Sequence, residues 1–418
     1  MRTLLSTQDA SSLRLRVGVR TLALLGLGVY LNVLGWMRLF IEATGGLVHR
    51  VALVGMLALC VLAVIREGKV RKPPLALGFV FSFLLWGTLS WFWTADQSAT
   101  IQYVRMSVTA APTIYFLWNF APRPSQWRWL VASHALGLWV ATLVSLWTGA
   151  FVARAAEATR IVAEGFNANE LAILVALGIP FAWYLFVVSR SWLVRALMLA
   201  TVLSGPMAAI QTGSRGGFAV LVTCLLAVVL VRPRAAGKGP MRPTRRWMVA
   251  PALVLVAVGI GAAKLVADAP KERILTIENE LVEGDLGGRA DVWQMGLEII
   301  PRHPVVGTGA ASFYERIRRM AGSRGRASHN VMLSVVAEQG IIGLALFLLL
   351  LGAVFTTVWR GAPGPERTTL LVVLLAWLVA GLSADLVANR QSWILIGLVI
   401  CISRGDQVAG SRASTPQP

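Results

Sequence analysis

Charged residues and histidines are scarce in this chain. Only 14% of its 418 residues are charged and 56% are hydrophobic, whereas soluble globular proteins carry about a quarter charged residues. Four histidines leave few candidates for acid–base chemistry. The three cysteines, Cys60, Cys224 and Cys401, lie in or beside apolar runs and form no CxxC pair. We therefore predict that they are small packing residues, not disulfides or metal ligands.

Long apolar runs make up most of the chain instead. They have about the 17–25 residues that a helix needs to cross the hydrocarbon core of a bilayer. Because only helices and closed barrels satisfy their backbone in lipid, and continuous runs of this length are helical, we predict an all-α polytopic membrane protein with about twelve transmembrane helices. The predicted spans lie near 21–40, 49–65, 74–93, 101–120, 127–149, 170–188, 192–211, 216–231, 247–266, 330–358, 369–385 and 391–403.

The distribution of positive charge predicts how these spans are oriented. With the N-terminus inside, the short inner segments hold 22 of the 39 Lys and Arg residues, and the short outer segments and spans hold seven. The other ten lie between Lys264 and Arg326, in a loop too long for the rule. Topology thus explains most of the net charge of +19, and nucleic acid is not an expected partner. The predicted parts are transmembrane helices one to nine in 1–266, an outer loop in 267–328, helices ten to twelve in 329–403 and an inner tail in 404–418.

The outer loop is expected to contain short helices. Residues 289–300 have helical spacing, which places Trp293, Leu297 and Ile300 on one predicted face. A proline at position 301 is expected to end this helix. The run GTGAAS at 307–312 resembles a truncated dinucleotide fingerprint, but it follows no predicted strand, so we predict a turn there.

One histidine is well placed for chemistry. His329 ends the outer loop where the tenth predicted span begins, at the outer face of the membrane. His49 and His134 lie near or in spans and are predicted to pack, and His303 is predicted to have a role in a turn. The alternative for His329 is that Ser328, His329 and Asn330 only cap the following helix.

Three arginines occupy positions that a purely structural role does not favour. Arg105 lies within the fourth predicted span, where insertion costs about 2.5–3.5 kcal/mol, so it faces a polar cavity or extends to the interface. Arg215 lies in the outer link TGSRGG, whose glycines would let a ligand approach closely. Arg289 follows two glycines at a predicted helix start, where a cation opposes the helix dipole.

Cations at the outer face suggest an anionic ligand, because the planar guanidinium group suits phosphate oxygens. The periplasm has no nucleotide pool to supply energy, so we expect the phosphate to come attached to a membrane lipid. Lys264 and Asp385 lie near outer ends of spans and are second-tier candidates for an ion network or substrate contact. Glu338 lies roughly 13 Å along the helix from His329, too far for direct chemistry, and is predicted to form internal hydrogen bonds.

Four short motifs, in order along the chain, resemble those of bacterial O-antigen ligases and related polymerases. The motifs are N-x-N at 167–169, SRG at 214–216, HPVVGTG at 303–309 and H-x10-G from His329 to Gly340. With about twelve spans and one large late outer loop, the resemblance covers most of the chain. It implies a GT-C-type glycosyltransferase in the bacterial inner membrane with a periplasmic active site.

The resemblance also implies the reaction and the residues that carry it. A glycan would move from undecaprenyl diphosphate to a sugar hydroxyl of lipid A–core, with inversion and without metal, ATP or another cofactor. The absence of acids other than Glu42 from the first outer loop, 41–48, agrees with metal independence. His329 would be the general base, and Arg215 and Arg289 would bind the diphosphate. Second-tier substrate or network residues are Arg105, Lys264, Asn330 and Asp385.

Other functions remain possible at this point. An O-antigen polymerase or a protein O-oligosaccharyltransferase would use the same leaving-group chemistry. A lipid-glycan flippase or transporter is the alternative of another class. Transporters usually have internal repeats and polar residues near the midplane, whereas the polar motifs of this chain cluster at the outer face. A scaffold or sensor would leave the motifs of His329 and Arg215 without a role.

Overall fold

The computed structural model describes residues 18–152, 167–232, 245–266, 289–322, 325–361 and 364–401, with isolated positions between 268 and 274. These residues are helical with connecting turns and contain no strand, so the all-α class is confirmed. The predicted tail, 404–418, and residues 275–288 of the predicted outer loop lie outside the described residues.

Each of the twelve predicted spans contains one main helix. Short 3-10 turns lie at Met37–Phe40, Ser90–Phe92 and Ile300–Arg302. The α-helices are α1 Val19–Trp36, α2 Ile41–Thr44, α3 Leu47–Glu67, α4 Leu75–Leu89, α5 Gln97–Phe120, α6 Pro124–Val152, α7 Ala168–Val188, α8 Trp192–Gln211, α9 Arg215–Leu230, α10 Arg245–Leu265, α11 Arg289–Ile299, α12 Phe313–Ala321, α13 Val331–Gly361, α14 Pro365–Gly381 and α15 Arg390–Ile400.

The protein is a polytopic membrane protein by the length and apolar character of its helices. Among the described residues, seven helical segments are long and apolar enough to cross a bilayer. The total of twelve spans stays a prediction. The 11 residues of α15 rise only about 16 Å, roughly half of the hydrocarbon core, although ten of them are buried in the bundle.

Helix α7 forms the centre of the bundle, with 17 of its 21 residues buried. It packs against α6, α8, α9 and α14, while α1 packs against α3 and α6, α13 against α4, and α15 against α5. Cys60, Cys224 and Cys401 are buried and form no disulfide, as predicted.

Polar contacts join helix ends that the charge count assigns to the same side. Arg20 forms an ion pair with Glu67 at 2.9 Å and donates to the Asn119 carbonyl at 3.0 Å. The Tyr184 hydroxyl donates to the Glu366 carboxylate at 2.7 Å. All five residues belong to predicted inner ends, and the side of the membrane that these ends face stays a prediction. The motif residues lie at the opposite ends of their helices.

Helix α13 is interrupted at Gly340, whose φ of 66° and ψ of −167° are not helical. The interruption separates an upper segment, 331–339, from a lower segment, 341–361. The lower segment alone rises about 30 Å, enough to cross the hydrocarbon core. The upper segment packs Leu333 and Ala337 against α11 and α12 in a small core of its own.

Helix α11 has the predicted extent, but of the three apolar residues predicted to share one face, only Trp293 and Ile300 pack against the small core. Leu297 is exposed, and the buried residues are Val292, Gly296 and Ile299. A Cβ atom at Gly296 would lie 3.0 Å from the Phe313 ring, so the glycine allows α12 to approach closely. The spacing of large apolar residues missed this face because a glycine forms its centre.

Candidate functional site

The N-x-N and SRG motifs bind each other. Asn167 caps α7 by accepting from the Asn169 N–H at 2.9 Å, and Ser214 caps α9 by accepting from the Gly217 N–H at 3.0 Å. The Ser214 hydroxyl also donates to the Asn169 side-chain oxygen at 2.7 Å. The two helix starts therefore lie side by side, with Arg215 as the first residue of α9. Capping side chains at both starts satisfy backbone N–H groups that the helices leave open.

The glycines of the SRG turn make room for protein, not for a ligand. A Cβ atom at Gly216 would lie 2.3 Å from the Ser383 hydroxyl oxygen, and one at Gly217 would lie 2.2 Å from the Ala172 Cβ atom. At Gly216 and Gly217 the close approach that a glycine permits is therefore made by protein atoms. The two glycines let α9 pack tightly against α7 and against the link from α14 to α15.

His329 lies directly before α13 in a left-handed conformation, with φ 48°. The cap of α13 is its neighbour Asn330, whose side-chain oxygen accepts from the N–H groups of Met332 at 3.0 Å and Leu333 at 3.2 Å. The capping function thus belongs to Asn330, and the half-buried His329 side chain is directed to a cavity. Left-handed backbone is uncommon for residues other than glycine, and it is often found at functional sites.

This cavity has a volume of about 240 Å³ and is surrounded by α6, α7, α14, α15 and the residues before α13. Its polar lining comes mainly from helix starts and links, and its apolar lining lies deeper along α7 and α15. The lining residues are His134, Asn167, Asn169, Glu170, Ile173, Leu174, Leu177, Ala327, His329, Trp377, Ala384, Asp385, Leu386, Asn389, Gln391, Ser392 and Leu395.

Two buried polar atoms in the lining have no hydrogen-bond partner among the described residues. They are Oδ1 of Asp385 and Nδ1 of His134. Because a buried polar atom without a partner costs about 1–3 kcal/mol, both atoms are available to a bound molecule or to water. His134 was predicted to pack in a span; its ring is buried, and it also lines the cavity.

The mouth of the cavity carries an ion pair that the sequence analysis did not identify. Glu170 in the first turn of α7 pairs with Arg38, which follows α1. Asn389, Gln391 and Ser392 were also missed as lining residues. The available signal was the run NRQS at 389–392, which is polar although it begins an apolar block.

The structure does not bring all the predicted site residues to the cavity. His329 and Asp385 line it. Arg215 and Arg289 are half-buried first residues of α9 and α11, close to the cavity elements but outside its described lining. Arg105 on α5 and Lys264 on α10 have exposed side chains and do not line it.

The HPVVGTG motif, 303–309, forms a turn that rests on the break in α13. The Pro304 carbonyl accepts from the Ile341 N–H at 2.9 Å, and the Gly309 N–H donates to the Glu338 carbonyl at 2.8 Å. A Cβ atom at Gly340 would lie 2.2 Å from the Val305 carbonyl oxygen. The glycine of the H-x10-G motif is therefore needed for this contact, and the GTG run is the turn that was predicted.

Glu338 connects the start of α12 to the break in α13 by two hydrogen bonds. Its two carboxylate oxygens accept from the backbone N–H groups of Ala311 at 2.8 Å and Phe313 at 3.0 Å. Phe313 is the first residue of α12, so the carboxylate also lies at the positive end of a helix dipole. The predicted internal hydrogen bonding of Glu338 is confirmed, and it connects the outer helices to the segment that follows His329.

Known proteins resemble this chain in the segment that holds most of these motifs. The profile of the family described as O-Antigen ligase matches residues 199–348, which extend from α8 into α13 and contain three of the four motifs. The chain resembles the O-antigen ligase family over this segment and in two curated relatives. It is 24% identical over 374 residues to an O-antigen ligase of Pseudomonas aeruginosa, covering 85% of this chain and 84% of that protein. It is 27% identical over 294 residues to the exopolysaccharide production protein ExoQ of Rhizobium meliloti, covering 66% and 64%.

The similarity to the O-antigen ligase family supports a ligase- or polymerase-type activity, in which a lipid-linked glycan is transferred. The motif packing gives physical reasons for the family pattern in this chain. SRG joins α9 to α7, and H-x10-G places His329 at one end of a short helix and the HPVVGTG turn at the other.

Proposed function

We propose that this protein is an O-antigen ligase of the bacterial inner membrane, with a GT-C-type fold. It transfers a glycan from undecaprenyl diphosphate to a sugar hydroxyl of lipid A–core at the periplasmic face. The observation that carries the proposal is the position of His329, the motif histidine, in a partly polar cavity beside the N-x-N segment. This cavity lies at the ends of the helices that the charge count assigns to the outer side.

In the proposed reaction, the acceptor oxygen attacks the anomeric carbon of the donor. The imidazole of His329 takes the hydroxyl proton as the new C–O bond forms, and the bond to the diphosphate breaks with its electron pair on the leaving oxygen. A histidine suits this step because its usual pKa of about 6.5 is near ambient pH. Direct attack inverts the configuration at the anomeric carbon and requires no metal or nucleotide.

Arg215 and Arg289 are proposed to neutralise the departing diphosphate. Their helices support this role. Arg215 starts α9, which is hydrogen-bonded to the N-x-N segment in the cavity lining. Arg289 starts α11, which packs against the segment that follows His329. Asp385, with its unpartnered oxygen in the cavity, and Asn330, next to His329, are second-tier candidates. Arg105 and Lys264 have weaker support because their side chains are exposed away from the lining.

A polymerase is the second candidate, since a relative of this chain has a name that concerns exopolysaccharide production. In that case the acceptor is another lipid-linked repeat unit. A protein O-oligosaccharyltransferase would accept a protein hydroxyl at the same cavity. A flippase would need no general base, so it would leave the placement of His329 unexplained.

The experiment uses purified protein with undecaprenyl-diphosphate glycan and lipid A–core, with EDTA and without nucleotide. We expect glycan on lipid A–core, and we expect His329→Ala to lower the turnover by about 10²–10⁴-fold, the usual contribution of a general base. Arg215→Gln and Arg289→Gln should also lower it, by up to about 10²–10³-fold.

Two exposed positions provide controls. Gln294→Ala on α11 is the control for His329→Ala, because it also truncates a side chain. Arg123→Gln at the predicted inner end is the control for Arg215→Gln and Arg289→Gln, because it also removes a positive charge. Both control variants should retain full activity. Glycan lengthening on the carrier alone would identify a polymerase. Unchanged turnover in a folded His329→Ala variant would refute the base role, and no transfer to any acceptor would favour a transporter.

A further inference from the structure

Exposed apolar side chains surround the outer end of the lower segment of α13. Ile341, its first residue, is 55% exposed, and Phe92, in the 3-10 turn that follows α4, is 81% exposed. Val305, 53% exposed, accepts from the Ile342 N–H at 3.4 Å. Leu297, 61% exposed, lies near the end of α11, which leads into the turn Ile300–Arg302. The sequence assigns both residues to the outer loop. We call the segment 301–306, which includes the first four residues of the HPVVGTG motif, the HPVV turn.

Hydrogen bonds fix the level of the HPVV turn relative to the membrane-spanning helices. The Ile341 N–H donates to the Pro304 carbonyl at 2.9 Å, and the Trp93 indole donates to the Val306 carbonyl at 3.3 Å. The lower segment of α13 is about as long as the hydrocarbon core is thick, and it starts at Ile341. The HPVV turn is therefore level with the outer boundary of the core.

The apolar surface continues down the same helix. Leu348, Leu349, Phe355 and Trp359 of α13 are all exposed, as expected of a side that faces lipid. The exposed HPVV turn thus extends a lipid-facing surface upwards. A patch that is continuous with lipid-facing helices is explained by lipid more simply than by a protein partner.

Cations accompany this apolar edge. An Arg316 Nη atom lies 3.1 Å from Nε2 of His303, and the Arg302 side chain is 64% exposed. Arg302 forms a long ion pair with Glu298, at 4.0 Å, on the preceding turn of the chain. Among the described residues no carboxylate pairs with Arg316, and its buried Nε atom has no partner. Positive charge directly above an apolar edge complements the phosphate layer of a bilayer.

We propose that the HPVV turn enters the outer-leaflet interface of the membrane. Leu297, Pro304 and Val305 lie among the upper acyl chains, while Arg302 and Arg316 bind the phosphates of lipid headgroups. This contact anchors the outer helices at a fixed height, and it does not depend on which glycan the protein transfers.

The test places the fluorophore NBD on single cysteines in the full chain, in nanodiscs of phosphatidylethanolamine and phosphatidylglycerol. The native cysteines are buried, and an unmutated sample corrects for any labelling of them. Labels at Val305→Cys and Leu297→Cys are compared with one at Ala321→Cys, an exposed position at the end of α12. We expect lipids brominated on their acyl chains to quench the first two several-fold more than the third. Equal quenching of all three by aqueous iodide would overturn the proposal.

A second measurement tests the headgroup contact. Raising the phosphatidylglycerol fraction should shift the emission of the label at Val305 to shorter wavelength, and Arg302→Gln with Arg316→Gln should abolish this response. Arg302→Gln alone, which leaves the contact with His303 intact, should reduce it. The matched control is Arg123→Gln with Arg190→Gln, two exposed arginines at predicted inner ends. An equal response in all variants would refute phosphate binding by the two outer arginines.

Discussion

The substitution Gly340→Ala tests the central geometric feature of the site, the break in α13. Gly340 has φ 66° and ψ −167°, a backbone region that is essentially restricted to glycine. A Cβ atom would lie 2.2 Å from the Val305 carbonyl oxygen and 2.4 Å from its carbon. Both atoms are backbone, so no side chain can move away to make room.

The expected cost has two sources. An alanine in this backbone region costs about 1–3 kcal/mol. Relieving the contact with Val305 requires a backbone shift of the kind that costs about 1–3 kcal/mol in overpacked cores. The sum of roughly 2–6 kcal/mol is a large part of the stability of a typical domain, about 5–15 kcal/mol. We therefore expect a lower unfolding temperature and a turn that is detached from α13.

The assay combines thermal unfolding in detergent with hydrogen exchange of the amides in 303–313. Gly352→Ala is the matched control in the same helix, because nothing lies within 4 Å of a Cβ atom there. An alanine in a helix interior is about 0.5–1 kcal/mol more favourable than glycine, so this control should be neutral or stabilising. If Gly340→Ala unfolds at the wild-type temperature with unchanged exchange, the proposed need for glycine at the break is wrong.

Two further predictions concern the outer helices. Glu338→Ala removes the acceptor of the partly buried Ala311 N–H and of the buried Phe313 N–H, at up to about 1–3 kcal/mol each. Their hydrogen exchange should accelerate strongly, with Glu338→Gln intermediate, and equal exchange in both variants would contradict the two-point contact. Partial burial and the charge of Arg316 lower the pKa of His303 below its usual value of about 6.5. Its contact with Arg316 should therefore be complete above about pH 6.5 and be lost as the pH falls through the lower pKa of the folded state; an NMR titration of the ring that gives a pKa of 6.5 or more would refute this.

The candidate site shows that the spacing of a motif along the chain does not give the shape of the site it forms. H-x10-G suggested one continuous helix that starts at His329, but the glycine ends a short helix of nine residues. The motif thus specifies two close contacts, one at each end of this helix. His329 lines the cavity at its start, and the HPVVGTG turn packs on Gly340 at its end.

Local features of the sequence determined the helical class, the position of each main helix and the candidate histidine. Apolar runs and flanking charges are local properties, so they can be recognised without knowing which helices are neighbours. The same holds for the turn at 307–312, because closely spaced glycines favour non-helical backbone wherever they lie.

Only the tertiary structure decided which residues meet. Asn169 and Ser214 are far apart in the chain, and their hydrogen bond depends on how α7 and α9 pack. The exposed Leu297, the unpartnered oxygen of Asp385 and the buried carboxylate of Glu338 likewise depend on neighbours from other segments. The sequence determines where helices form because helix formation in lipid is governed by local hydrophobicity and backbone hydrogen bonding. The cavity depends on packing between helices, which no single segment encodes.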